Sequence, residues 1–208
     1  MPISRKLALY SDQEGPDNGP MDQRLLQLIG KHRPRLGYVS AEPDPQRYYF
    51  ESKRQYYAAL EVVLGDYVDA HSTASQWQAL LGCDAIHLSG GNTFVFLQWL
   101  REQGRLADLT RYVAQGGVLI GVSAGAILMT PGVLSAELCG DERGEFSGEH
   151  RGLALVDFHV WPHFAAQDDA VSDLAPLYGL PDGGGIIVDG QRTEFFGGVA
   201  VLGGGREG

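Results

Sequence analysis

The chain is poor in cysteine and in cations, and it lacks any long apolar run. Two cysteines, Cys83 and Cys139, stand in 208 residues. They form neither a disulfide framework nor a C-x-x-C metal knuckle, so a reducing cytoplasm is the expected compartment. Sixteen Lys and Arg face 26 Asp and Glu, a formal net charge of −10. A surface of that sign argues against nucleic acid as a partner, because phosphate neutralisation needs a basic face. No stretch approaches the ~20 apolar residues of a membrane span. The opening Met1-Pro2-Ile3-Ser4-Arg5-Lys6 leads into a short apolar run, too brief for a signal-peptide core. Repeats and low-complexity tracts are absent, and one domain over residues 1–208 is the expectation at this length. What the chain has in excess is glycine, 29 residues in all.

Short apolar runs alternate with helical patterns over the first two thirds of the chain. Strands are expected at 6–10, 35–40, 66–70, 84–88 and 118–121, and helices at 22–31, 46–64, 75–80, 93–102 and 106–115. Apolar runs with this spacing indicate parallel strands covered on both faces, an α/β doubly wound sheet. Beyond Thr130 shorter, glycine-rich β pieces follow at 186–188, 194–196 and 199–202, read as a small C-terminal mixed or antiparallel extension. In open α/β sheets ligands sit beyond the carboxyl ends of the strands. Those ends are Ser11, Ser40-Ala41-Glu42, Ser89-Gly90-Gly91-Asn92 and Gly121-Val122-Ser123.

Gly121-Val122-Ser123-Ala124-Gly125 matches G-x-S-x-G, a sharp strand-to-helix turn that lifts a serine hydroxyl above the sheet. The strand Val118-Leu119-Ile120 precedes it and a helix-forming segment follows, which is the context the motif requires. A serine hydroxyl is a weak nucleophile unless a base takes its proton, and the base in turn needs an orienting acid. Of six histidines, His163 stands just past Pro162, which ends the strand and fixes a turn. His163 is therefore the candidate base, ahead of His159. If the acid falls between serine and histidine, the candidates are Glu137, Asp141, Glu142, Glu145, Glu149 and Asp157. Glu137 is chosen, because a carboxylate in the apolar stretch 133–138 needs a partner such as His163. The amides of Gly91 and Ala124 would supply an oxyanion hole. Gly90, Asn92 and Thr93 of the same loop are candidate substrate contacts. The loop lacks both the P-loop lysine and the G-x-G-x-x-G spacing, and no cofactor or metal is expected.

Three motifs, Gly90-Gly91-Asn92-Thr93-Phe94, Gly121-Val122-Ser123-Ala124-Gly125-Ala126 and Trp161-Pro162-His163-Phe164, occur in this order. Together they resemble the peptidase E (aspartyl dipeptidase) family of serine peptidases, related to the cyanophycinases, with a class I glutamine amidotransferase-like fold. The resemblance spans about residues 7–202. It implies Ser123 as nucleophile, His163 as base, an oxyanion hole at Gly91 and Ala124, and hydrolysis of Asp-X dipeptides with no cofactor. Two departures stand out. The family's aspartate about fifteen residues after the serine is replaced by Leu138, preceded by Glu137, which gives an expected Ser123–His163–Glu137 triad. The basic segment after the histidine motif reads Ala165-Ala166-Gln167-Asp168-Asp169 and is acidic.

An Asp-X pocket needs a cation, and Arg47, Arg54, Arg143 and Arg151 are the candidates, none of them placed by a motif. The alternatives are cyanophycinase-like hydrolysis of β-aspartyl-arginine linkages and a non-catalytic amidotransferase-like binding module. A small peptide is the expected partner. The aromatic run Tyr48-Tyr49-Phe50 with Tyr56-Tyr57 leaves open whether a second copy of the chain, as a homodimer, or the same chain covers that helix.

Overall fold

A computed structural model describes residues 5–166, 173–174 and 176–202. The opening tetrapeptide, Gln167, Asp168 and Asp169, and the glycine-rich tail from 203 lie outside the described residues. The strands are β1 Lys6–Tyr10, β2 Arg35–Val39, β3 Val63–Val68, β4 Ala85–Leu88, β5 Val118–Val122, β6 His159–Pro162, β7 Leu177–Leu180, β8 Gly185–Asp189, β9 Arg192–Phe196 and β10 Ala200–Leu202. The α-helices are α1 Gly19–Ile29, α2 Tyr48–Ala59, α3 Ala74–Leu81, α4 Thr93–Glu102, α5 Arg105–Ala114 and α6 Ala124–Leu128.

Seven strands form the main sheet in the order β3-β2-β4-β5-β1-β8-β9. The first five are parallel, and β8 and β9 are antiparallel to their neighbours. Alternation along β1 shows why this sheet is covered twice. Leu7 and Leu9 enter one apolar cluster with α3, α4, α5 and α6, while Ala8 and Tyr10 enter a second with α1 and α2. Each fully buried Leu, Met or Phe contributes roughly 1.5–3 kcal/mol of transfer free energy. Local signals agree with this packing. Thr73 and Gln76 close a capping box on α3, and Asn92 Oδ1 caps α4 by accepting from Phe94 N and Val95 N at 2.9 and 3.1 Å.

The α/β sheet expected from the sequence is present, with two local differences. The helix expected over 46–64 stops at Ala59, and Glu61 takes a left-handed φ of 59° before the chain enters β3. β-Branched Val62 and Val63 follow that reversal, and such residues favour extended backbone. The C-terminal pieces do not form one extension. β8 and β9 continue the main sheet, whereas β10 joins β7 and β6 in a separate three-stranded sheet. One link between the two sheets is the short turn 181–184, from β7 to β8.

Candidate active site

The strand ends converge as the parallel register requires. Tyr10 pairs with Val122 and Leu88 with Gly121, so Ser11, Ser89 and Ser123 leave the sheet side by side. Ser123 N donates to Tyr10 O at 3.0 Å, and Gly125 N donates to Ser89 O at 3.0 Å. Ser123 itself has φ 50° and ψ −110°, a strained conformation for a non-glycine residue. Both motif glycines have steric reasons. A Cβ on Gly121 would lie 2.4 Å from the Gly125 carbonyl group, and one on Gly125 would lie 2.3 Å from Leu88 O.

His163 follows Pro162 with a left-handed φ of 59°. Its Nε2 lies 3.0 Å from Ser123 Oγ, and its Nδ1 lies 2.7 Å from Asp182 Oδ1. A carboxylate accepts from Nδ1–H, which leaves Nε2 as the acceptor for the serine hydroxyl proton. Ser11 ties the group together, since its Oγ accepts from His163 N at 2.8 Å and donates to Asp182 Oδ1 at 3.1 Å. Asp182 sits on the β7–β8 turn, and that turn is pinned by Gly183 N donating to Asp12 Oδ1 at 2.6 Å.

The carboxylate against His163 is thus Asp182, not Glu137. Glu137 belongs to a 3-10 turn, Leu134–Cys139, that buries Ser135 and Ala136 and turns the glutamate outward. There it forms an ion pair with Arg143, which holds its carboxyl below the usual range. The expected order of serine, acid, histidine is replaced by serine, histidine, acid. The signal that could have found Asp182 is Pro181-Asp182-Gly183, a turn sequence just after a strand. His159 packs with Nδ1 3.2 Å from Gly132 O, away from the serine. His87 is fully buried with Nδ1 2.9 Å from Tyr57 Oη, and burial pushes its pKa well down.

The glycine loop lies where an oxyanion hole belongs. Gly90 approaches Ser123 closely, since a Cβ there would be 3.7 Å from Ser123 Cβ. Gly91 has φ +129°, and a Cβ on it would meet Ala41 Cβ at 2.8 Å. Ala124 opens α6, so its amide has no partner within the helix. Asn92 and Thr93 are occupied elsewhere. Asn92 caps α4 and its Nδ2 donates to Glu142 O at 2.9 Å, while Thr93 is buried and its amide donates to Asp141 Oδ2 at 2.8 Å.

A cavity of about 580 Å³ opens over Ser123, His163, Gly90 and Gly91. None of the four arginines proposed from the sequence lines it. Arg47 lies over the Tyr67 ring, Arg54 pairs with Glu51 and Arg143 with Glu137. The cation that lines it is Lys53, whose Nζ donates to Gln13 O at 2.7 Å. Burial pulls the Lys53 pKa down, and the carboxylates of Glu14, Asp12 and Asp22 oppose that shift. Among the described residues no helix is long and apolar enough to cross a membrane.

Fold and site together define an α/β protein with a serine–histidine–aspartate constellation at the carboxyl edge of a parallel sheet. The chain belongs to peptidase family S51, whose family model matches residues 7–195. It is 31% identical over 142 residues to peptidase E of Citrobacter koseri, covering 59% of this chain and 60% of that protein. It is 28% identical over 144 residues to the "Probable alpha-aspartyl dipeptidase" of Drosophila melanogaster, covering 61% and 59%. The alignments span less than two thirds of these relatives' lengths. A crystal structure of a candidate peptidase E protein from Listeria monocytogenes superposes with a TM-score of 0.74 at 19% identity, covering 96% of this chain and 100% of that one. At that identity the likeness speaks for the fold.

Proposed function

We propose that the protein is a serine-type peptidase that cleaves short peptides through Ser123, His163 and Asp182. The observation that carries this is the relay of contacts, 3.0 Å from Ser123 Oγ to His163 Nε2 and 2.7 Å from His163 Nδ1 to Asp182 Oδ1. His163 Nε2 takes the Ser123 proton as Oγ attacks the scissile carbonyl carbon. The oxygen of the resulting tetrahedral intermediate carries the negative charge and accepts from the Gly91 and Ala124 amides. His163 then gives its proton to the leaving amine, and the C–N bond breaks to leave an acyl-enzyme. Water, deprotonated by the same nitrogen, hydrolyses the ester and frees Ser123. Asp182 holds the tautomer throughout and stays ionised.

Cavity size favours small substrates, since about 580 Å³ falls within the ~300–1,000 Å³ of small-molecule sites. The finer reading, removal of an N-terminal aspartate, is supported by the names of the relatives. In this cavity the aspartate side chain would have Lys53 as its counter-ion, against four lining carboxylates.

The test is hydrolysis of a dipeptide panel by wild type and Ser123→Ala. Turnover should fall by roughly 10⁵–10⁶-fold in the variant with an unchanged circular dichroism spectrum. Equal rates in the two proteins would sink the reading. Failure of a fluorophosphonate to label Ser123 would favour a non-catalytic binding module instead.

A further inference from the structure

The acid and the base of the proposed relay stand in the open. The Asp182 side chain is 63% exposed and that of His163 46%, so packing alone fixes neither of them. In the serine-protease pattern the orienting acid is buried and cannot turn away. His163 also holds a left-handed φ of 59°, a conformation that persists in a non-glycine residue only where its surroundings over-determine it. A buried group has to aim these two side chains at each other.

Ser11 is that buried group. It follows the last residue of β1 and is fully buried. Its amide donates to Gly184 O at 3.0 Å, which fixes its backbone independently of its side chain. A serine hydroxyl has one proton to give and lone pairs to receive. The proton goes to Asp182 Oδ1 at 3.1 Å, the same oxygen that lies 2.7 Å from His163 Nδ1. A lone pair receives His163 N at 2.8 Å. The neighbours of Ser11 complete the grip. Tyr10 O accepts from Ser123 N at 3.0 Å, and Asp12 Oδ1 accepts from Gly183 N at 2.6 Å. Tyr10, Ser11 and Asp12, consecutive in the chain, therefore bond to Ser123, to His163 and to the turn that carries Asp182.

We propose that Ser11 is a positioning residue for peptide hydrolysis, whose hydroxyl holds the exposed Asp182 carboxylate on His163 Nδ1 and the His163 backbone in place beside Ser123. The inference rests on the reading of Ser123, His163 and Asp182 as the relay and adds a fourth member that acts through the histidine–aspartate pair. Without the hydroxyl, Asp182 is free to turn toward water, and His163 loses the partner that keeps Nε2 unprotonated and facing Ser123 Oγ. A misplacement of about 1 Å in such a group costs about 10²-fold in rate.

The experiment compares wild type, Ser11→Ala, Asp182→Ala and the double variant on a dipeptide that wild type cleaves, and follows fluorophosphonate labelling of Ser123 to completion. We expect Ser11→Ala to lower kcat about 10²-fold and to leave KM within about twofold. Labelling should slow while the final labelled fraction stays that of wild type. In the Asp182→Ala background the same change should cost less than about tenfold, because the carboxylate that Ser11 aims is already gone. Ser11→Cys, similar in shape but a weaker donor, should fall between wild type and Ser11→Ala, and it carries the same test if Ser11→Ala does not fold. A role in folding alone lowers the labelled fraction at an unchanged rate, and that result overturns the proposal. So does a kcat within about threefold of wild type, and so do equal losses in the two backgrounds. A wild-type protein that neither labels nor cleaves any dipeptide fails earlier, at the serine-peptidase reading itself.

Discussion

Asp182 and Glu137 separate cleanly by what each touches. Asp182→Asn keeps a hydrogen-bonding group beside His163 Nδ1 but favours the wrong tautomer, and kcat should fall by roughly 10⁴-fold. Glu137→Gln removes an exposed partner of Arg143, and peptide turnover should stay within about twofold of wild type. Steady-state rates on any cleaved dipeptide check both, and a collapse of activity in Glu137→Gln would return the acid to that turn. Sequence reasoning reached Ser123 and His163 because steric rules mark them: two glycines where a Cβ would collide, and a proline that ends a strand. It missed Asp182 because hydrogen bonding to a histidine leaves no periodic or steric mark on the aspartate's neighbours. Ser11 was placed at a strand end, but its bonds to His163 and Asp182 escaped for the same reason. A second residue-scale effect follows from His87, whose burial opposes protonation. Its folded pKa lies below the ordinary value of about 6.5, so the unfolded chain binds the proton first. Stability should therefore be full above pH ~6.5 and decline as pH falls below it. Urea midpoints at pH 7.5, 6.5 and 5.5 for wild type and His87→Gln would show this, with a shallower decline in the variant.

Elements were legible where periodicity was strong. The parallel strands and the helices between them follow from apolar runs that both faces of the sheet bury, as in β1 and β5. The boundary between α2 and β3 was not, since Leu60, Val63 and Leu64 continue a helical spacing that the backbone abandons at Glu61. That residue takes φ 59° without being a glycine. Glu61→Gly should relieve the left-handed strain and stabilise the protein by about 0.5–1 kcal/mol. The shift in urea midpoint at constant slope measures it, and a loss of stability would mean that the glutamate side chain contributes more than its backbone costs. Partition of the C-terminal strands was equally hidden, because alternation in three- to five-residue pieces says which face is buried but not which sheet is joined. That partition matters for chemistry. β5 and β1 of the main sheet present Ser123 and Ser11, while β6 of the small sheet presents His163 and the link between the sheets carries Asp182.

For the whole molecule, a site assembled across two sheets ties activity to their docking. Fluorophosphonate labelling of Ser123 and the unfolding of the aromatic core should therefore lose signal at the same urea concentration. Tryptophan fluorescence, from Trp77 and Trp99 in the main core and Trp161 in β6, reports the folding side of that comparison. Labelling lost well before fluorescence would mean that the small sheet detaches on its own. The net charge of −10 likewise takes on a local meaning, for four of its carboxylates line the cavity over Ser123.

The turn that carries Asp182 has a consequence in time as well as in space. Synthesis runs from the amino terminus, so the ribosome releases Ser123 long before His163, and His163 before Asp182. A growing chain therefore carries Ser123 with no oriented histidine, and the proposed relay closes only after the turn 181–184 has been made. With Ser123, His163 and Asp182 in the roles proposed for them, the protein stays silent as a peptidase while its own unfolded segments, and those of neighbouring nascent chains, are within reach.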